Sequence, residues 1–238
     1  MTATVDSLLL DIAIMRVRIA AGVHMADADF VESEHPRRDD GEFTEGVDVK
    51  GSPADHFASE KYGEALKNGL PTGIKADVDA TVKEISIRSK VSLKNSAGHP
   101  VGIFDHTYRK KKNEISIAAA YIEDDAQGQG LVSKLTENVI NEARRIGVSR
   151  IVTQATGVGG YAWAKLGFVP VQADWDDIRM GTLKKAAEKL SAERKAAVDR
   201  ILDDKSPTAM MRLIRLPEAK AILVNSQWDG VFDLTSKP

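Results

Sequence analysis

Residues 124–135, DDAQGQGLVSKL, decide how the chain is read. Gly128 and Gly130 stand one residue apart behind acids and a glutamine, and an apolar pattern with helical spacing starts directly after them. Glycine reaches backbone conformations and close approaches that a β-carbon forbids. A helix start presents N–H groups without partners and the positive end of the helix dipole. A strand that turns through such glycines into a helix therefore makes a cradle for an anion such as a phosphate. By itself Gly-x-Gly is more often a tight turn and nothing more, so its surroundings have to decide.

Upstream the apolar residues alternate. The run 82–93, VKEISIRSKVSL, sets Ile85, Ile87, Val91 and Leu93 at period two, and VGIFDHTY (101–108) and EISIAAAYI (114–122) follow. Short polar connections between such runs predict an antiparallel meander. The connection RKKKN is read as a solvated hairpin tip, with a site for an acidic partner as the less common alternative. Downstream, Leu131, Leu135, Val139, Ile140 and Ala143 share one helix face. ARRIG closes that helix with basic residues and a glycine. SRIVTQAT then reads as a strand, GVGGYAWAKLG as a short glycine-opened helix and FVPV as another strand. The order β-β-β-α-β-α-β defines an α/β chain with a mixed sheet.

The flanks read differently. In residues 1–23, Leu8, Ile12 and Met15–Ile19 suit a helix, while Ile12, Ile14, Val17 and Ile19 suit a strand equally. Residues 31–51 are polar and charged, as in a loop or extended arm. Ser52 is a good N-cap and Pro53 fits the first helical position, so one helix is expected through Asn68, stopped by Gly69. After Pro170, an amphipathic helix is expected over 183–202 and another after Ser206-Pro207. GVFDL reads as a last strand, and Met210 and Met211 as packing residues. The organisation is a helical or extended segment over 1–75, a core over 76–171 and a helical extension over 172–238.

Composition bounds the function. With 238 residues, 33 basic against 35 acidic and a net charge of −2, nothing favours nucleic-acid binding. The absence of cysteine excludes disulfides, a thiolate nucleophile and thiolate-ligated metals, and no metal is expected. LLLDIAIM is broken by Asp11 and lacks a basic flank, so no signal peptide is expected. No apolar run approaches membrane-spanning length. The expectation is a cytoplasmic protein with no membrane or nucleic-acid partner.

Two motifs in this order resemble the GNAT acetyltransferase superfamily. Gln127-Gly128-Gln129-Gly130-Leu131-Val132 looks like the family's Arg/Gln-x-x-Gly-x-Gly/Ala loop, and Trp163-Ala164-Lys165-Leu166-Gly167-Phe168 looks like its Tyr-x-x-x-Gly-Phe block, 36 residues further on. The resemblance covers roughly residues 82–171. It implies that Ile122, Gln127, Gly128, Gln129, Gly130, Leu131 and Val132 bind acetyl-CoA as cosubstrate, through backbone amides at its diphosphate. It also implies that central strands 114–122 and 150–155 splay to admit the pantetheine arm.

The chain departs from the family at several points. Val132 stands where Gly or Ala is usual, Gly157 where an asparagine is common, and Trp163 where a tyrosine commonly acts as general acid. An indole N–H donates a hydrogen bond but delivers no proton at ordinary pH. Glu114 is the candidate base implied on the strand before the loop. Glu123, Asp124 and Asp125 follow at the loop, where Asp124 and Asp125 read more readily as solvated loop acids before a helix start; His99 and His106 are weaker candidates, each more commonly an ordinary polar or edge-strand histidine. The implied function is acetyl transfer to an amine acceptor, small molecule or protein. The GGYAWAKLGF block with its distal W-x-G-x-x-D-L tail is also similar to GNAT-like segments of bacteriophage-associated proteins. That implies an alternative: a non-catalytic component of an assembly such as a phage particle, with protein partners or further copies held through residues 1–75 and 172–238.

Overall fold

A computed structural model describes residues 52–235. The readings of residues 1–51 and of the last three residues lie outside the described residues. The described chain divides into two compact units, one holding 52–154 and 230–235, the other 155–229.

The first unit opens on two short helices rather than the expected one. Ser52 caps α1 (Pro53–Phe57) in a reciprocal box with Asp55. The Ser59 hydroxyl then donates to the His56 carbonyl at 2.6 Å and accepts from the Tyr62 N–H. It ends one helix and caps the next, α2 (Glu60–Lys67), because a serine hydroxyl competes locally for backbone groups. Gly69, at φ 67°, provides the expected stop.

Four antiparallel strands follow: β1 (Lys75–Val82), β2 (Ser86–Lys94), β3 (Pro100–Arg109) and β4 (Glu114–Ile122). The expected first strand, 82–93, is therefore corrected. Its first residues are the β1–β2 turn, where Lys83 N–H bonds the Ser86 carbonyl, and Ile85 is exposed at the tip. Residues 75–82 carry little strand signal in the sequence, because their Ala and Asp are poor strand formers. After β4 comes α3 (Leu131–Arg145), then β5 (Arg150–Ala155) parallel to β4.

Aromatic contacts seat the helices on the sheet. Phe57 stacks on Tyr108 with centroids 4.6 Å apart, and Tyr62 meets Phe57 edge-on at 4.8 Å. Asn138 of α3 donates to the carbonyls of Leu66 and Asn68 at 3.0 and 2.9 Å. These are carbonyls at the end of α2 that a short helix leaves without partners.

His106, one of the candidate bases, lies on β3 beneath α2. It is 1% exposed and hydrogen-bonded to the Tyr62 hydroxyl. Burial pushes its imidazole down to about 4, against the opposing pull of Asp105. It is thus a sealed, neutral packing residue. Between pH 6.5 and 4 the unfolded chain binds a proton that the folded chain refuses. The contribution to stability is therefore complete above the unfolded value and is lost as pH falls toward the folded one. From pH 7 to pH 5 the expected loss is about 2 kcal/mol. Urea midpoints at the two pH values should show it. A Tyr62→Phe/His106→Leu chain, which removes both polar partners, should lose less than half as much; an equal loss would place the titration elsewhere.

The second unit contains α4 (Gly159–Lys165), β6 (Val169–Pro170), α5 (Gln172–Ile178), α6 (Lys184–Ala187), α7 (Ala192–Leu202), α8 (Met210–Leu213) and α9 (Ala219–Leu223). A π-helical turn, Arg179–Leu183, links α5 to α6. The helix expected over 183–202 is thus two helices. The chain breaks after Ala187 and restarts behind Ser191, whose extended backbone is that of an N-cap. Trp175 and Met210 are fully buried, and the Trp175 indole donates to the Asp204 carbonyl at 3.0 Å. The last strand, β7 (Trp228–Asp233), forms where GVFDL predicts one. In the first unit, hydrogen-bonded neighbours run β1-β2-β3-β4-β5-β7, with the β4–β5 pair parallel and β1 to β4 antiparallel. The mixed α/β sheet expected from the sequence is present.

Candidate functional site

The geometry of interest begins on β4. Pairing with β3 runs from Glu114 opposite Arg109 to Ile122 opposite Gly102, with one irregularity: Asp105 faces Ala119 but His106 faces Ile117. Ala118 is the extra residue, a bulge, and it is exposed. Bulges bend a strand and leave a residue out of the ladder. On the other side, pairing with β5 covers Glu114–Ile117 against Arg150–Thr153 and stops there. Ala118–Ile122 continue without a β5 partner, so their backbone groups on that side are not used by the ladder. The splay implied by the sequence resemblance is of this kind.

The chain then turns. Glu123 N–H bonds the Val101 carbonyl at 2.9 Å, and Asp124–Ala126 form a 3₁₀ turn. The Gln127 side chain reaches back to the Ile122 carbonyl at 3.1 Å and to Asp124 at 2.9 Å, latching the turn to the strand end. Gly128 and Gly130 take φ 81° and 70°, values that favour glycine. Gly130 is the N-cap residue of α3, and no side chain caps this helix. The first N–H groups of α3 are left to water or a ligand. Val132 is 8% exposed, so its isopropyl group is packed inside and its N–H is what it offers at the helix start. Gln129 is exposed.

Glu114 lies elsewhere. It opens β4, eight residues before Ile122, hence roughly 25 Å from the glycine turn at strand spacing. Its carboxylate, 2% exposed, binds Arg109 at 2.9 Å and Arg150 at 2.8 Å, with Lys112 at 3.8 Å. Burial would raise its pKa, but the hydrogen bonds from Arg109 and Arg150 overcome it and hold the carboxyl below the usual range. Glu114 thus anchors cations at the start of β4. Glu114→Gln should lower stability at pH 7 by about 1–2 kcal/mol, since the half-exposed arginines rehydrate. Urea denaturation measures this, and an unchanged midpoint would contradict it. That contribution is present above the ordinary carboxyl pKa and fades as pH falls through the depressed folded value.

Other candidates separate as follows. His99 is exposed, as are Asp124 and Asp125. Glu123 is half-buried and accepts from the Tyr121 hydroxyl at 2.7 Å. That carboxylate stands just beyond the splayed residues. Reasoning from the sequence missed the Gln127 latch and the bulge at Ala118, although three consecutive alanines in a strand of isoleucines mark the place. In the second unit, Trp163 is 6% exposed on α4 and meets Phe168 edge-on at 5.2 Å. A β-carbon on Gly159 would stand 3.4 Å from the Trp163 indole. Gly167 takes φ 94°, and Phe168 N–H bonds the Trp163 carbonyl. The Trp163–Phe168 block is thus a helix end with its stop. Among the described residues no group of His, Asp and Glu is arranged to hold a metal ion, and no helix is long and apolar enough to cross a membrane.

No protein-family model matches the chain, and no curated protein sequence does. Partial likenesses exist among solved structures. Nourseothricin acetyltransferase aligns over 47% of this chain and 80% of its own, at 14% identity and a TM-score of 0.32. A GNAT family acetyltransferase from Elizabethkingia anophelis with acetyl-CoA bound aligns over 42% and 79%, at 14% identity and 0.34. N-acetylglutamate synthase from Neisseria gonorrhoeae, complexed with coenzyme A and N-acetyl-glutamate, aligns over 62% of this chain but 26% of its own, at 18% identity and 0.34. At these scores the likenesses identify neither a family nor an activity.

Proposed function

We propose that the chain binds acetyl-CoA at the glycine turn and transfers the acetyl group to an amine. The observation that supports this reading is the end of β4. Its ladder with β5 stops at Ile117 opposite Thr153, while the strand runs on to Ile122 and enters a turn with two positive-φ glycines and an uncapped helix. The stretch Ala118–Ile122, which the β5 ladder does not use, suits a pantetheine arm laid beside it, and the N–H groups at 128–132 suit a diphosphate. In the reaction the amine nitrogen attacks the thioester carbonyl, the C–S bond breaks and the thiolate is protonated. The amine must first lose a proton, which falls to water or to a group near the Ala118 end of the splay, since Glu123 stands at the diphosphate end. The thiolate takes its proton from water or another group.

Calorimetry with acetyl-CoA and with free CoA tests the binding, and an acetylation assay on a mixed amine panel tests the transfer. A chain that binds neither nucleotide at millimolar concentration would sink the reading. Trp163→Tyr puts a phenol, which can donate a proton, at the position where the family that the sequence resembles commonly keeps one. It is expected to leave the fold intact and turnover equal or higher; a tenfold fall would show that the indole itself is required. The second reading, a non-catalytic component of an assembly, draws support from Trp163 and from the locked Glu114. It predicts no transfer by either chain and loss of association when residues 1–50 or 206–238 are deleted.

A further inference from the structure

We propose that the hairpin end of the sheet, remote from the glycine turn, docks on an anionic phospholipid surface. Two turns meet there, the β1–β2 turn and the 3₁₀ turn Lys110–Lys112 between β3 and β4. Lys110 ties them together: its N–H bonds the Ile85 carbonyl and its ammonium the Lys83 carbonyl, each at 3.0 Å. Val82 is 58% exposed and Ile85 56%, and these are two of the four large apolar side chains left exposed among the described residues. Among the described residues, six cations stand around them, Lys83, Arg109, Lys110, Lys111, Lys112 and Arg150, against four carboxylates, Glu84, Glu114, Asp55 near Lys110 and Asp233 near Arg150. Glu114 is hidden beneath Arg109, Lys112 and Arg150, which keep 44%, 62% and 50% of their side chains exposed. The buried carboxylate fixes these cations in place while they still face outward.

An apolar pair ringed by cations suits a surface that is negative outside and apolar just beneath. Other anionic partners fit less well. Nucleic acid is commonly gripped by stacking on exposed aromatics, and the aromatic residue next to this end, Tyr108, is 4% exposed. An acidic peptide joining the sheet needs an unpaired strand edge, whereas here the contact is made by turns. A bilayer needs neither a platform nor an edge: the aliphatic tips enter the headgroup layer and the lysines bind the phosphates. β4 runs away from this end, so a docked molecule keeps its glycine turn roughly 25 Å from the lipid.

The test is co-sedimentation of the full chain with vesicles, one set of pure phosphatidylcholine and one with 30% phosphatidylserine. Wild type should partition onto the phosphatidylserine vesicles, release as salt rises, and ignore pure phosphatidylcholine. Lys111→Glu/Lys112→Glu should weaken partitioning at least about 25-fold, at about fivefold per cation removed. Val82→Ser/Ile85→Ser should weaken it about tenfold at unchanged charge. Lys185→Glu/Lys189→Glu, with the same change of net charge on other elements, should stay within about threefold of wild type. Thermal melts of each variant check the fold, and the lipid and salt dependence of wild type decides even if one variant melts early. No partitioning of wild type onto phosphatidylserine vesicles overturns the proposal. So does equal loss in the control pair, or full retention by either tip variant. Binding of polyglutamate or a single-stranded oligonucleotide without vesicle binding overturns it in favour of that polymer.

Discussion

A Gly130→Pro chain is expected to bind no acetyl-CoA that calorimetry detects up to millimolar concentration. Gly130 sits at φ 70° directly before α3, and proline is held near −65° and has no N–H. The substitution therefore removes one donor from the turn and redirects its neighbours. Gly128→Val acts by a different route. Gly128 takes φ 81°, which a β-branched residue adopts only under strain, and the new side chain crowds the approach of a diphosphate. Loss of two charge-assisted hydrogen bonds, at about 1.5–3 kcal/mol each, is at least about a hundredfold in affinity. Gln129→Ala is the control, because Gln129 is exposed and its N–H survives. If a folded Gly130→Pro chain kept wild-type affinity, the phosphates would have to bind elsewhere.

Gly160→Val should be the most damaging single change in the second unit. A β-carbon at Gly160 would stand 2.2 Å from the Ser226 hydroxyl, 2.5 Å from the Leu223 carbonyl and 3.0 Å from the Ser226 carbonyl. Two of these are main-chain atoms and cannot swing aside. Ser226 is fully buried, donating to the Leu223 carbonyl at 2.7 Å and accepting from the Trp228 indole at 3.2 Å. Asn225 N–H also bonds the Gly157 carbonyl. Forcing α4 and α9 apart breaks this set together. The expected cost is about 3 kcal/mol for alanine and more for valine, or about 10 °C in Tm for alanine. Differential scanning calorimetry reads it directly. A fall of less than about 3 °C for Gly160→Val would mean that the close approach is relaxed in solution.

The sequence made the helix after the turn legible because Leu131, Leu135, Val139 and Ala143 repeat at helical spacing and are all buried. The meander was legible from period two, but its start was not. Ile85 and Ile87 keep the same parity whether the chain runs straight or turns between them, so alternation alone misplaced β2. Ser59 and Ser191 broke two expected helices, since period and apolarity carry on across a residue whose hydroxyl or backbone restarts the helix. The glycine turn was legible as a motif. The feature that gives it meaning, the end of β4–β5 pairing, depends on register between segments more than thirty residues apart. The ion pairs of Glu114 were not legible for a related reason: a strand position says which face a carboxylate shares, not that Arg109 and Arg150 close over it.

Asn138 also sets the order in which the chain becomes structured during synthesis. The carbonyls of Leu66 and Asn68 at the end of α2 find a donor 72 and 70 residues later, on α3. At about 5–20 residues per second, α2 leaves the ribosome roughly 4–14 s before its partner exists. An isolated helix of eight residues is not stable over that interval. The nascent chain therefore carries α2, with Tyr62 and Leu66 unsheltered, as a segment open to chaperones. It gains its contacts with α3 only when residue 138 has been translated, so a ribosome stalled before then is expected to hold a chain more sensitive to protease near Tyr62 than the full chain.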